Sequence, residues 1–218
     1  MKTIHITRNG NVVTFEPVSI DITENVIFRN LDTQAAHWPW FRKTDDSPEK
    51  PFATNQVGAA PSLNSSQCTV PTPQPPPPPS GYQVTYGCKI AGHENEQGVI
   101  SVFGQLQSIG DPGAPISLHP ATQNVPIPRQ QLVSGGKSPY RVSEKIFQIT
   151  AGTPPTVIQS DKDSIGPGLQ LSPTDDNTGV WVTGTPTAVG TYHFTFVVDD
   201  GMGKNLQQVQ YFMVVGKA

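Results

Sequence analysis

The side chains of this chain that are best suited to soft-metal or redox chemistry are its two cysteines and five histidines. Cys88 is followed after Lys89-Ile90-Ala91-Gly92 by His93, and Gln97 comes four residues beyond that. Cys88 also ends the run Gly81-Tyr82-Gln83-Val84-Thr85-Tyr86-Gly87-Cys88, in which Tyr82, Val84 and Tyr86 share its parity. On a strand such residues face one side, so the sulfur is expected to point inward with the apolar side chains. A loop this short between adjacent strands can fold back and bring three donors to one point. A second imidazole, His37, follows the strand-like run Asn25 to Asn30. Two imidazoles and a thiolate suit copper, and in a trigonal arrangement with a weak axial fourth donor they make an electron-transfer site.

Other chemistries compete for the same residues. Cys68 and Cys88 could form one disulfide. Cys68, Cys88, His37 and His93 could form a Cys2His2 zinc set, although structural zinc usually has closely spaced ligand pairs at both ends and only one such pair exists here. His5, His119 and His193 read as surface or strand residues. Asp175, Asp176, Asp199 and Asp200 supply oxygen donors of the kind calcium takes, but they lack EF-hand spacing and read better as solvated turn carboxylates.

The elements that must position these groups read as strands. Val13 and Phe15 alternate after the Asn9-Gly10 turn signal, Val18, Ile20 and Ile22 alternate with polar residues, and Val26 and Phe28 extend the pattern towards His37. The segment from Val99 to Phe103 has strand length. The proline run Pro75 to Pro79 has no backbone donors for a sheet and reads as an exposed, stiff spacer. Turn residues without an apolar period fill 107–115. Alternation then resumes, with Tyr192, Phe194, Phe196 and Val198 on one face, followed by Val209, Tyr211, Met213 and Val215. The expectation is an all-β chain of two sandwiches, 1–106 and 116–218, joined by a linker over 107–115.

Composition agrees with short strands and many turns: 23 prolines and 20 glycines against 14% charged residues in 218. A formal net charge of -3 with no run of basic residues gives no footprint for nucleic acid. No stretch is apolar enough to span a bilayer, and the start MKTIHITRNG lacks the apolar core of a secretory signal. Export to the periplasm or the exterior is still expected, with the signal no longer part of this chain.

With Val26-Ile27-Phe28-Arg29-Asn30-Leu31-Asp32 ahead of His37 and Tyr82 to Gly87 ahead of Cys88, the first half resembles the cupredoxin family of small blue copper proteins. The spacing from Cys88 to His93 to position 97 is that of azurin-like members. The resemblance implies a Greek-key β-sandwich, one type 1 copper ion held by His37, Cys88 and His93, and electron exchange with a protein redox partner through the edge of His93. Gln97 falls where the family most often has methionine, and Met1, Met202 and Met213 all lie outside the loop. The resemblance thus points to the stellacyanin-like members with an axial glutamine, whose oxygen lowers the potential. Glu94, Glu96 and the Ala36 carbonyl are rival oxygen donors. Trp38 stands where the family commonly has asparagine, so the usual hydrogen bond to the thiolate is expected from another residue. The aromatic run Trp38-Pro39-Trp40-Phe41 reads as core or rim packing at a strand end before it reads as an electron path.

The second half, with Gly184-Thr185-Pro186-Thr187 and Gly190-Thr191-Tyr192, resembles the immunoglobulin-like repeats of bacterial extracellular proteins. That resemblance speaks to fold and says little of function. One-electron transfer is the expected role. Copper storage, delivery or sensing, and an extracellular structural or adhesion role, are the alternatives. An enzyme is not expected, because no second copper cluster, nucleophile with a base, or cofactor loop is visible.

Overall fold

The computed structural model describes residues 1–42, 50–53, 56–59, 64–71, 81–110, 114–173, 178–206 and 209–218. The proline run Pro75 to Pro79 and the carboxylates Asp175 and Asp176 lie outside the described residues. The fold is all-β, with no helix among the described residues. No helix is long and apolar enough to cross a membrane. The chain divides into two compact units, Met1–Gly104 and Gln105–Ala218.

The first unit holds β1 (Lys2–Asn9), β2 (Val12–Phe15), β3 (Val18–Asp21), β4 (Asn25–Asn30), β5 (Pro39–Phe41), β6 (Lys50–Pro51), β7 (Cys68–Thr69), β8 (Tyr82–Cys88) and β9 (Gln97–Phe103). They form one sheet in the order β2-β1-β4-β7 and another in the order β3-β9-β8-β5-β6. Period-two alternation explains the core between them: Ile4 and Ile6 of β1, Val26 and Phe28 of β4, and Ile100 and Val102 of β9 are all buried. Edge-on aromatic contacts fill its centre, with Tyr86 5.4 Å from Phe15, 5.2 Å from Phe28 and 5.8 Å from Phe52. Such pairs contribute about 0.5–1.5 kcal/mol each beyond area burial. Gly98 makes room for this ring, since a Cβ there would run into Tyr86 and Phe15.

The second unit holds β10 (Gln107–Ser108), β11 (Ile116–Ser117), β12 (Ala121–Thr122), β13 (Gln130–Ser134), β14 (Arg141–Ala151), β15 (Thr156–Lys162), β16 (Leu169–Pro173), β17 (Val180–Gly184), β18 (Gly190–Asp199), β19 (Asn205–Leu206) and β20 (Tyr211–Gly216). One sheet runs β10-β13-β17-β16 and the other β11-β20-β18-β14-β15, with β12 on β20 and β19 on β18. Gln107 and Ser108 fall in the stretch read as linker, yet they pair with Ser134 and Val133. Two residues can join a ladder without any apolar period, because their backbone groups alone do the pairing. Phe147 lies opposite Phe194 and Ile149 opposite Tyr192 in the core, which turns Gln148 and His193 outward.

Candidate metal centre

The site lies where β5 meets β8 and where the loop after β8 turns into β9. Pro39 is opposite Cys88, Trp40 opposite Gly87, and Phe41 opposite Tyr86. Trp38-Pro39-Trp40-Phe41, read from sequence as packing at a strand end, is therefore mostly a strand. Pro39 and Phe41 are buried and Trp40 is half-buried, and proline is tolerated because it is the first strand residue. This register sets His37 beside Cys88. The Trp38 amide donates to Cys88 Sγ at 3.3 Å, and the Lys89 amide donates to the Trp38 carbonyl at 3.0 Å. The hydrogen bond to the sulfur, expected from another residue, thus comes from Trp38 itself, because the backbone amide supplies it whatever the side chain is. On its other side His37 exchanges two backbone hydrogen bonds with Val57, at 3.0 and 2.7 Å.

The loop from Cys88 to Gln97 closes through backbone contacts. The His93 amide donates to the Ile90 carbonyl at 3.0 Å, the Glu96 amide to the His93 carbonyl at 3.0 Å, and the Cys88 amide to the Glu96 carbonyl at 3.1 Å. Gly92 takes a φ of 85°, the left-handed conformation that favours glycine. Arg42 Nη2 donates to the Glu94 carbonyl at 2.7 Å.

His37, Cys88, His93 and Glu96 come together here, with one ligand atom from each lying within 4.8 Å of all the others. Cys88 Sγ is 3.7 Å from His93 Nδ1, and Glu96 Oε2 is 2.8 Å from His37 Nδ1 and 3.3 Å from His93 Nδ1. The two imidazole rings are 5.1 Å apart. His37 is fully buried, whereas the His93 side chain keeps 18% of its surface exposed.

Three of the four residues expected from sequence are in this cluster. The fourth, Gln97, opens β9 with an exposed side chain, opposite Gly87. Successive residues of an extended chain point to opposite sides, so Glu96 facing the sulfur turns Gln97 away. The other acidic rival, Glu94, accepts from the Gly92 amide at 2.9 Å within its own turn.

Behind His37 stands Asp32, which the sequence reading did not single out. Its side chain is fully buried, and Oδ2 accepts from His37 Nε2 at 2.9 Å and from Arg8 Nε at 2.8 Å. Oδ1 accepts from the Gln34 amide at 2.8 Å. Burial opposes charge on the Asp32 carboxyl, but the Gln34 amide, His37 and Arg8 together hold its pKa below the usual value. Burial likewise works against a charged His37, and hydrogen bonds to Cys88 and Asp32 with the charge of Glu96 outweigh it, raising its pKa. An acid five residues before a histidine carries no signal in a sequence; only the folded loop reveals the pair.

Both cysteines are free thiols. Cys68 lies on β7 opposite Val26 of β4, where its thiol donates to the Ser66 carbonyl at 3.2 Å. Burial raises its pKa, with the Ser65 hydroxyl opposing. Cys68 is not part of the cluster, so neither the disulfide nor the Cys2His2 zinc set is assembled. His5 pairs with Glu16 at 2.6 Å, His193 faces Thr150 at 3.2 Å, and His119 is exposed. Asp200, one of the carboxylates weighed for calcium, is engaged by the backbone amides of Lys137, Met202 and Lys204.

The donor set fits a soft or borderline metal ion: two imidazole nitrogens, one sulfur already receiving a backbone N–H, and one carboxylate oxygen. Because Nε2 of His37 is held by Asp32, Nδ1 is the nitrogen left for the cluster.

No protein-family model matches the chain, and no curated protein matches it. Among solved structures it resembles an endo-fucoidan hydrolase of glycoside hydrolase family 107 at TM-score 0.38 and 14% identity, over 89% of this chain and 27% of that one. It resembles Dpr11 IG1 bound to DIP-gamma at TM-score 0.41 and 9% identity, over 97% of this chain and 95% of that one. It also resembles Fet3p, a multicopper oxidase that functions in iron import, at TM-score 0.28 and 9% identity, over 98% of this chain and 52% of that one. The chain thus spans only about a quarter of the hydrolase's length. At these scores the neighbours carry no argument about this chain's activity or family.

Proposed function

We propose that the first unit is a cupredoxin-like module that binds one copper ion through His37 Nδ1, Cys88 Sγ and His93 Nδ1, with Glu96 as fourth donor, and passes single electrons to a protein partner. The observation that carries this reading is the convergence of those four side chains within 4.8 Å. Bound copper would supply the one-electron couple. The protein's part is to hold the donors in place before the metal arrives, and to keep them there in both oxidation states. His37 is fixed from behind by Asp32, the Cys88 sulfur by the Trp38 amide, and the loop by its own backbone hydrogen bonds. His93, the more exposed imidazole, is the natural exit for the electron.

Glu96 changes the expected character of the site. A carboxylate is a harder donor than a thioether or an amide oxygen and carries charge, so it favours the more highly charged copper(II) and lowers the potential. A four-donor site of this kind also serves the alternative of copper storage or delivery, which predicts ready metal exchange and slow electron self-exchange. The second unit is read as an immunoglobulin-like spacer or adhesion surface, the chain as exported, and the protein as no enzyme.

The deciding experiment is the visible spectrum of the full chain after addition of copper(II), beside Cys88→Ser. An intense thiolate-to-copper band that the variant loses supports the reading. A colourless protein, or one that prefers zinc under competition, refutes it.

A further inference from the structure

Resting on that reading, we infer that Asp32, held by Arg8, is a positioning residue that selects Nδ1 of His37 as the metal-binding nitrogen and biases the site towards copper(II). Asp32 is fully buried, and its Oδ2 is shared between His37 Nε2 at 2.9 Å and Arg8 Nε at 2.8 Å. A buried carboxylate is costly unless its hydrogen bonds are satisfied, and here they are. The same loop is stiffened by Asn30, whose side-chain amide donates to the carbonyls of Ala35 and Gly58 at 2.9 Å, and whose Oδ1 accepts from the Asp32 amide at 2.9 Å. Asp32 therefore cannot swing away from His37 without breaking this frame.

A carboxylate accepting from the far nitrogen of a ligand imidazole fixes its tautomer and ring orientation and makes the near nitrogen more basic. A more basic nitrogen favours the higher charge of copper(II). Arg8 draws the same carboxylate the other way and moderates that push. Arg8 comes from β1 and Asp32 lies two residues past β4, strands that pair in parallel within one sheet, so backbone register brings the guanidinium to the carboxylate behind His37.

This arrangement predicts effects of opposite sign. In the full chain, Asp32→Asn should weaken copper(II) binding about 10-fold to 100-fold, measured by chelator competition, and raise the reduction potential. A tenfold loss confined to copper(II) corresponds to about 59 mV. Arg8→Gln should lower the potential. A purely structural role for the pair would reduce the melting temperature of the metal-free chain in both variants and leave both potentials where they were. If Asp32→Asn does not fold, Arg8→Gln decides: a lowered potential upholds the inference, and an unchanged or raised one overturns it. A wild-type chain without the thiolate-to-copper band defeats the copper reading and this inference together. A wild type with the band, beside an Asp32→Asn variant of unaltered potential and affinity, defeats this inference alone.

Discussion

Both units of the molecule bury aspartates, and Asp200 of the second and Asp32 of the first are used in opposite ways. Asp200, at 6% exposure, follows β18, and its carboxylate accepts from the backbone amides of Lys137, Met202 and Lys204. Asp32, at 1% exposure, follows β4 and meets an imidazole and a guanidinium as well as an amide. The first pattern closes a turn. The second orients a side chain with chemistry of its own. Partners, more than burial, separate an architectural carboxylate from one that serves a site.

The same contrast appears in two buried tyrosines. Tyr211 donates its hydroxyl to the Leu132 carbonyl at 2.9 Å, whereas the Tyr86 hydroxyl has no hydrogen-bond partner among the described residues. Burial pushes both phenols well above their ordinary pKa. Both units leave buried side-chain atoms unmet among the described residues, Trp40 Nε1, Arg42 Nε and the Tyr86 hydroxyl in the first and Gln130 Nε2 and Trp181 Nε1 in the second, so this contrast belongs to the two phenols alone.

The largest expected effect separates the units outright. Cys88→Ser should abolish the copper band completely while the circular dichroism spectrum of the chain keeps its β signature; a retained band would place the sulfur donor elsewhere. Asp200→Ala should destabilise the second unit by about 3 kcal/mol, because it strands three part-buried amides at once, and should leave the copper spectrum unaltered. Thermal unfolding of the metal-free chain measures the first part, and a shift of the copper band would break the contrast between the two aspartates. Glu96→Gln should weaken copper(II) binding about tenfold, roughly 1.4 kcal/mol, and raise the potential; Gln97→Met should move neither. If Gln97→Met shifts the potential and Glu96→Gln does not, the axial donor is Gln97. The smallest effects sharpen the tyrosine pair: Tyr211→Phe should cost about 1 kcal/mol, while Tyr86→Phe should be neutral or stabilise by up to about 1 kcal/mol. Equal losses in denaturant titrations would mean that Tyr86 has a partner after all.

Much of the first unit can be read along the chain. Val26 and Phe28, and Tyr82, Val84 and Tyr86, alternate strongly enough to announce β4 and β8, and the parity of Cys88 with Tyr86 already turned its sulfur inward. The short strands were harder. Pro39–Phe41 and Gln107–Ser108 are too brief for any period to emerge, and both owe their conformation to a neighbouring strand that offers backbone partners. Arg141–Ala151 and Thr156–Lys162 pair with each other although every residue of the latter is exposed, which leaves no apolar pattern to detect.

The sequence by itself determined the donor types and the spacing from Cys88 to His93, because a thiol and an imidazole separated by four residues must share one loop. It also determined the all-β character, since alternation and turn residues recur throughout the chain. Tertiary structure alone decided that Glu96 and not its neighbour turns to the sulfur, because one residue of strand register reverses every side chain. Tertiary structure alone also decided that Asp32 closes on His37 and Arg8 on Asp32. Long-range pairing of β1 with β4 brings them together, and no local pattern records which distant side chains a folded loop will meet.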